Sequence, residues 1–410
     1  GEFPAFGDSQ TRAIGTPDAG KTSWAVGDEL LLEIDNTSYG RHNATFTYNG
    51  KSWELTSGEL VYLEGDPAYI SHVYYAPNYK WSNTSLMLKK GKVAGTDELI
   101  EGKARITGNG ETITVSFAEA TRKYSRLRIA TLPNEQITVD TEYFTPAGSS
   151  DMEQNGNYTL TSDEKGNAYL YGTFENNSEV TVKYREAALT TYTFSQATES
   201  AKSYALDATV ISANSAEEIK SAIKQKVADG KTTIRLNLAP NAGTDEFMAI
   251  REAIKGAAPN DEGTIELTII GVETIPEEAF KRMSQLKSVK MPDVKEIKKY
   301  AFSECIYLTV VEAPSLNKLN SGAFNKCNLL SKLTFGPINY ADARYWSIFE
   351  DITPNIDLIL SDYQKEMIET DDDLYTANND IDYAFSPEHV SKNFLGHEFK
   401  SITCRRYRVE

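Results

Sequence analysis

Cysteine is scarce in this sequence, which has three cysteines among 410 residues. That number is too small for the disulfide framework that stabilises many small secreted domains. Histidine is sparse as well. The four histidines, at positions 42, 72, 389 and 397, have no spacing that places two metal ligands on one face. We therefore expect no disulfide scaffold and no bound metal.

Signatures of catalysis and of membrane insertion are also missing. The sequence has no Gly-x-Ser-x-Gly elbow, no phosphate-binding Gly-Lys-Ser/Thr loop and no Gly-x-Gly-x-x-Gly motif after a strand. No apolar run reaches the ~18 residues that a transmembrane helix requires. The net charge of −17 disfavours nucleic acid, because phosphate binding needs clustered Lys and Arg. We expect a protein without enzymatic activity, cofactor, nucleic-acid partner or transmembrane segment.

The composition supports folded domains. Hydrophobic residues make up 40% of the chain and charged residues 25%, which is ordinary for globular proteins. The chain suits two or three domains, because single domains cluster near ~100–150 residues. Residues 1–4 contain neither an initiator Met nor a signal-peptide pattern, so we expect that an upstream export segment has been removed.

A period of 22 residues dominates the second half of the chain. Three units repeat five apolar positions in one register, and an Ala-Phe pair is among them. The units contain Ile275, Ala279, Phe280, Leu286 and Val289; Ile297, Ala301, Phe302, Leu308 and Val311; and Leu319, Ala323, Phe324, Leu330 and Leu333. A fixed period of this kind indicates stacked coils, in which each coil covers the apolar side of the next.

Segments on both sides of the repeats extend or close the predicted stack. Residues 265–269 alternate one period earlier, and residues 234–238 are expected to begin the sheet. A capping box at Ser215–Glu218 starts one helix, and a second helix follows Asp245, so that the two form an N-terminal cap. Beyond the repeats, residues 356–360 and a helical segment at 363–368 are expected to close the other end.

The repeated pattern resembles the BspA-type leucine-rich repeats of bacterial surface proteins. Units of that family carry an Ile, an Ala-Phe pair, a Cys, a Leu and a strand that ends in Pro. Residues 264–336 match this pattern, with Met283 in place of the first Cys and with the last Pro displaced to Pro337. The resemblance implies surface display and adhesion.

Short runs of alternating polar and apolar residues fill the first half of the chain, separated by Gly, Asn, Asp and Pro. This alternation predicts antiparallel β-sandwiches, with a type I′ hairpin turn at Asn49-Gly50. The strand candidates are residues 30–34, 44–48, 51–55, 112–117, 127–130, 168–174, 180–184 and 191–194.

Several motifs follow one another in this half of the chain. They are Thr11-Arg12-Ala13, Trp24–Asp28, Tyr74–Pro77 before Trp81, Asp97–Ile100, Ile113–Phe117 with Ser125–Arg128, and Ala201–Leu206. In this order they resemble the fimbrillin family of Bacteroides-type pilins. The family implies a lipid-anchored precursor and, in some members, strand exchange after cleavage at an N-terminal Arg. That role transfers to Arg12; the alternative is that Arg12 lies in a flexible lead.

These patterns predict a mainly β protein with some α-structure. We expect N-terminal antiparallel β-sandwiches and a C-terminal α/β leucine-rich-repeat solenoid with a helical cap. The expected organisation is a flexible lead at 1–12, a fimbrillin-like β-sandwich at 13–135, a second small fimbrillin-like β-domain at 136–210, a helical cap with the first solenoid strand at 211–263, repeats at 264–336 and a C-terminal cap at 337–410.

Side-chain alternation along the repeat strands predicts a partner-binding face. If Val289 and Met291 point into the core, Ser288 and Lys290 point outward, and the period assigns their equivalents in neighbouring coils. The predicted face comprises Glu266, Thr268, Ser288, Lys290, Val310, Glu312, Lys332 and Thr334. Its chemistry is mixed and it lacks an aromatic anchor, so a solvated structural face is the alternative interpretation.

Cys305 and Cys327 occupy one position of adjacent coils. A disulfide between them is one interpretation. Met283 fills the same position in the first unit, which favours buried thiols in an apolar row.

Two features of the tail also have two interpretations. The oxygen-rich residues 371–373 and 378–380 form either a calcium site or an acidic loop, and the missing Gly and terminal Glu favour the loop. Tyr345, Trp346 and Phe349 line either a sugar site or a core.

Taken together, these observations predict an exported, outer-membrane or cell-surface lipoprotein, whose full-length precursor carries a lipid anchor. Its expected function is adhesion or interaction, with a leucine-rich-repeat surface displayed on a pilin-like module. The expected partner is a host or bacterial surface protein, or a glycan. One alternative is a structural pilus tip or anchor subunit. Another is a glycan-binding or glycan-hydrolysing surface protein.

Overall fold

The computed structural model describes residues 7–8, 20–36, 38–59, 61, 68–108, 113–185, 187–342, 348–361, 393–404 and 407–409. Strands account for 44% of the structure and helices for 9%, which confirms the mainly β class with antiparallel sheets. The chain divides into two compact units. One comprises Gly1–Tyr184 and Ala188–Thr209, and the other comprises Arg185–Ala187 and Val210–Glu410.

The first half of the described chain contains strands only. They are β1 (Gly7–Asp8), β2 (Glu29–Asn36), β3 (Gly40–Tyr48), β4 (Trp53–Gly58), β5 (Ala68–Tyr75), β6 (Tyr79–Ser82), β7 (Ser85–Leu88), β8 (Ile100–Gly108), β9 (Ile113–Thr121), β10 (Ser125–Ala130), β11 (Gln136–Pro146), β12 (Glu153–Thr161), β13 (Asn167–Phe174), β14 (Glu179–Tyr184), β15 (Ala187–Thr193) and β16 (Lys202–Asp207).

Two large sheets and one hairpin organise these strands. The first sheet is antiparallel and has the order β4-β3-β2-β5-β8-β9. The second has the order β1-β16-β10-β13-β11-β14-β15, with β12 paired to β11, and β6 pairs with β7. The chain changes sheets between Thr121 and Ser125. The sequence patterns predict a division between two β-domains near residue 135. Strand β10 ends at Ala130 and belongs to the second sheet, so the change of sheet comes before that position.

The hairpin predicted at Asn49 is confirmed by the antiparallel pairing of β3 with β4. Its turn is not type I′, because that type needs positive φ at both central residues and only Gly50, at 98°, has it between Asn49 and Ser52. The Asn49 side chain explains the difference. Its Oδ1 accepts hydrogen bonds from the backbone N–H groups of Lys51 and Ser52, at 2.9 and 2.8 Å, and so holds the turn.

A buried ion pair lies where the chain passes from the first sheet to the second. The Arg122 side chain has no exposed surface, and its Nη2 donates to Glu98 Oε2 at 2.9 Å. The other oxygen of Glu98 accepts from the backbone N–H of Lys21 at 3.1 Å. Removing one partner of such a pair typically costs about 3–5 kcal/mol, because the other charge stays buried without compensation. This cluster therefore ties the segment that contains Lys21 to the junction of the sheets.

The second half of the described chain contains short strands and two helices. They are β17 (Ile211–Ala213), α1 (Ala216–Ala228), β18 (Thr233–Leu238), α2 (Thr244–Ala257), β19 (Ile265–Ile270), β20 (Thr274–Ile275), β21 (Leu286–Lys290), β22 (Glu296–Ile297), β23 (Val310–Ala313), β24 (Lys318–Leu319), β25 (Lys332–Phe335), β26 (Tyr340–Ala341), β27 (Asp357–Leu360), β28 (Asn393–Phe394), β29 (His397–Glu398), β30 (Ser401–Cys404) and β31 (Tyr407–Val409).

Repeat strands pair in parallel with their equivalents one period later. The larger sheet has the order β17-β18-β19-β21-β23-β25-β27-β30-β31, and only β31 runs antiparallel to its neighbour. A second ladder has the order β20-β22-β24-β26. Val289 is opposite Val311, which is opposite Leu333, so the sequence period is also the pairing register.

The strands and helices at the two ends of the larger sheet can be compared with the sequence-based predictions. The sheet begins one strand before residues 234–238, at β17. The strand predicted at 356–360 is confirmed as β27, while the helix predicted at 363–368 lies outside the described residues. Both predicted helices are present, and Ser215 caps α1 by accepting from the Glu218 N–H. Each helix connects two neighbouring parallel strands, so α1 and α2 are crossovers within the sheet.

A buried column of phenylalanines runs through the repeats, and we call it the Phe column. Phe280, Phe302, Phe324 and Phe349 stack with centroid separations of 5.2, 5.5 and 6.0 Å and interplanar angles of 19°, 9° and 9°. All four rings are almost completely buried. Two edge-on rings bound the column, Phe247 from α2 and Phe399 from the C-terminal segment. The core of this unit is continuous from Ala213 to Cys404.

Candidate binding surface

Two rows of outward-pointing side chains cross the larger sheet, and we call them the first row and the second row. They arise because alternate residues of each strand face away from the core. The pairing register gives a first row of Thr233, Glu266, Ser288, Val310, Lys332 and Asp357, and a second row of Arg235, Thr268, Lys290, Glu312, Thr334 and Ile359.

All eight residues predicted for the binding face fall in these two rows. The structure adds Thr233 and Arg235 at one end and Asp357 and Ile359 at the other. The 22-residue period missed them because coil lengths change there. Residue 234 pairs with residue 267 across the longer coil that contains α2, and residue 333 pairs with residue 358. Thr268 is only 4% exposed, so its side chain offers a partner little surface.

Most charges on this sheet already have partners within it. Lys290 Nζ lies 3.6 Å from Glu312 in the next strand, and Lys287 Nζ lies 2.8 Å from Glu266. Lys332 forms no ion pair in the part of the chain that the structure describes. The two rows therefore present a nearly neutral surface on which Lys332 is the most available charge.

Further ion pairs join successive coils away from the two rows. Lys295 pairs with Glu273 at 2.6 Å and Lys318 with Glu296 at 3.3 Å, and each partner is 22 residues away. Exposed pairs of this kind typically contribute about 0–1 kcal/mol each. Their regular spacing favours the 22-residue register over shifted alternatives.

The repeated cysteine position is part of the core. Cys305 Sγ donates to the carbonyl of Phe280 at 2.9 Å, and Cys327 Sγ donates to the carbonyl of Phe302 at 3.0 Å. Each thiol thus bonds to the preceding coil, and both cysteines are free and fully buried. Burial raises the pKa of Cys305 to about 12 and raises that of Cys327 well above its usual value. Of the two interpretations of this cysteine position, the structure agrees with buried thiols and not with a disulfide.

Several other predicted features lie outside the described residues. These are Arg12, His389, Tyr345, Trp346 and residues 371–380. Phe349 is described and belongs to the Phe column, where it is 2% exposed, so it does not line an open sugar site. Among the described residues, no group of three or more His, Cys, Asp and Glu is placed to hold a metal ion. No helix in the described ranges has the length and apolar character needed to cross a bilayer.

Comparison with known families identifies the repeats. The model of the BspA type leucine rich repeat region matches residues 264–359 in six copies. Repeats of this type are typical of surface proteins and indicate a protein-interaction role. The resemblance predicted for residues 264–336 is thereby confirmed and extends to β27. No family model matches the first half of the chain, so the resemblance to fimbrillins stays a prediction. No curated protein and no solved structure matches the chain.

The buried thiols predict a specific pattern of alkylation. In mildly alkaline buffer, iodoacetamide should leave Cys305 and Cys327 unmodified in the folded protein and modify both after denaturation, because only an accessible thiolate reacts. Peptide mass mapping measures both states. A cysteine introduced at the exposed Ser315 should react without denaturant. A disulfide between Cys305 and Cys327, or rapid labelling of either in the folded chain, would contradict the described packing.

Proposed function

We propose that this chain is a non-enzymatic, cell-surface adhesion or interaction protein, in which a leucine-rich-repeat solenoid binds its partner through the first and second rows. The observation that carries the proposal is the in-register parallel pairing from β18 to β27, which aligns six residues in each row. Repeat proteins commonly use extended surfaces of this kind for recognition.

The electrostatics of the rows support a particular kind of partner. Lys332 has no ion-pair partner among the described residues, and Lys290 is bound to Glu312 at a loose 3.6 Å. Both side chains are partly exposed. A host or bacterial surface protein with an acidic patch would engage these lysines, and a glycan with carboxylate groups has the same chemistry. Because the rows carry no aromatic anchor, the affinity should be modest.

The proposal also covers the cellular location of the chain and the role of its first unit. BspA-type repeats support display at the cell surface. The mainly antiparallel sheets of the first unit agree with a pilin-like module that carries the repeats. We propose an exported lipoprotein whose first unit is fimbrillin-like and serves as the display module, with no cofactor and no nucleic-acid partner.

Charge reversal on the rows tests the proposal. Beads coated with the full chain should adhere to host epithelial cells or to bacterial cells, and the double variant K290E/K332E should adhere less. The loss should be largest at low salt, because long-range attraction between exposed charges is screened as salt rises. The number of beads bound per cell is counted by microscopy at ~0.02 M and ~0.5 M NaCl.

A matched control separates the rows from general charge effects. The variant K295E/K318E changes net charge equally and also breaks ion pairs between coils, but neither lysine lies in the rows. It should adhere like the unchanged chain. The melting temperatures of both variants should fall only slightly, because K290E/K332E loses one exposed ion pair and K295E/K318E loses two. Equal loss of adhesion in both variants, or no loss in K290E/K332E, would place the binding surface elsewhere.

A structural pilus role is the second candidate, and one observation favours it. Strand β1 is an edge strand that pairs in parallel with β16 through Gly7 opposite Lys202 and Asp8 opposite Ser203. Cleavage after Arg12 would release residues 1–12, and β1 with them. The edge of β16 would then have unpaired backbone groups that can accept a strand from another subunit.

Trimming tests this second candidate. A protein that begins at Ala13 should form oligomers when concentrated, whereas the full chain and an uncleaved R12A variant incubated with trypsin-like protease should not. Light scattering after size-exclusion chromatography measures the species. A trimmed chain that stays folded and monomeric would remove support for the pilus role, while leaving the adhesion proposal intact.

A further inference from the structure

In four successive coils, a charged residue at one turn has a positive φ angle and so lies in the left-handed backbone region. The φ angles of these residues are 60°, 60°, 58° and 57°, in the order Arg282, Glu304, Lys326 and Asp351. In the first three, the backbone N–H donates to a carbonyl of the following coil, at Ser303, Asn325 and Glu350. Asp351 directly follows Glu350, just as Glu304 follows Ser303. It is therefore the fourth member of the series, although it comes 25 residues after Lys326 rather than 22.

We call these four residues the corner ladder. Its charges alternate in sign from coil to coil, as positive, negative, positive and negative. Arg282 Nε lies 3.0 Å from Glu304 Oε2, and this bond, aided by Lys326, lowers the pKa of the Glu304 carboxyl. The first and third side chains are well exposed, so the ladder faces solvent.

The ladder lines an open groove of about 520 Å³. The other residues that line the groove are uncharged, and there is again one per coil: Ser284, Ile306 and Asn328. Ile306 is 43% exposed, and Leu329, beside Asn328, is 51% exposed. Exposed apolar residues bordered by polar side chains fit an interaction surface, in which an apolar centre is surrounded by a polar rim.

Because the ladder has four charges of alternating sign, a second copy laid along it in the opposite direction places an opposite charge at every position. If two ladders lie antiparallel, Arg282 faces Asp351 of the second copy and Glu304 faces Lys326 of the second copy. The same two contacts recur with the copies exchanged, as a two-fold interface requires. The axis then passes between Glu304 and Lys326, next to Ile306. We propose that the corner ladder is a two-fold interface through which two copies of this chain associate.

The length of the ladder limits the strength of this interface. Neighbouring coils lie about 4.8 Å apart, so four rungs extend about 15 Å. A contact of this length buries little surface compared with most specific interfaces. Binding through such small contacts is transient and depends on charge. We expect a dimer that forms at micromolar or higher concentration and dissociates as salt rises. The ladder shares no residue with the first or second row, so dimerisation is independent of the proposed partner binding.

Sedimentation equilibrium of the full chain tests the interface. The unchanged protein should show a monomer–dimer equilibrium at ~0.02 M NaCl that shifts to monomer at ~0.5 M. E304K and K326E should each weaken dimerisation at least about tenfold, because each places like charges opposite one another at two symmetric positions. The double variant E304K/K326E restores opposite charges at every rung and should recover dimerisation.

The control variant is E273K, which makes the same charge change in a different exposed ion pair between coils. It should dimerise like the unchanged chain. Circular dichroism confirms that each variant is folded. The interface is wrong if the unchanged chain is monomeric at high concentration in low salt, if E273K weakens dimerisation as much as E304K, or if folded E304K/K326E stays monomeric. Growth beyond the dimer would also contradict a closed two-fold contact.

Discussion

The stacking of one phenylalanine on the next is the contact on which the second unit depends. Phe280, Phe302, Phe324 and Phe349 occupy one position of four successive coils, and each ring lies within 6.0 Å of its neighbour. Aromatic pairs at such distances contribute about 0.5–1.5 kcal/mol beyond the burial of their area. A coil shifted by even one residue would replace a ring with a smaller or polar side chain, so the column specifies the register.

Every surface of functional interest follows from that register. The first and second rows exist because the strands pair one period apart, so that equivalent residues lie side by side. The same spacing places Lys295 beside Glu273 and aligns the charges of the corner ladder. Thiol hydrogen bonds from Cys305 and Cys327 to the preceding coil reinforce the stacking from within. The packing of the core therefore also determines which side chains the proposed partner would contact.

Sequence reasoning succeeded where the chain repeats and failed where coil length changes. The core positions of Phe302 and Leu308 were predictable because identical apolar residues recur at fixed spacing. Arg235 and Asp357 were missed, since the coil containing α2 is longer and the coil between Lys332 and Asp357 has three extra residues. In the first unit, alternation gave eight of the sixteen described strands, and no local signal revealed the parallel pairing of β10 with β16. That pairing joins residues about 77 positions apart and depends on tertiary contacts.

Deleting parts of the repeat tests the central claim that one coil is the unit of stacking. Removal of residues 297–318, which is 22 residues, should let Phe280 stack on Phe324 and leave a cooperative unfolding transition. Removal of only residues 297–307 should destabilise the protein more, although it deletes half as many residues, because the following coil loses its register. Urea unfolding followed by the helical circular dichroism of α1 and α2 measures both. The account predicts the lower midpoint for the shorter deletion; an equal or higher midpoint would contradict it.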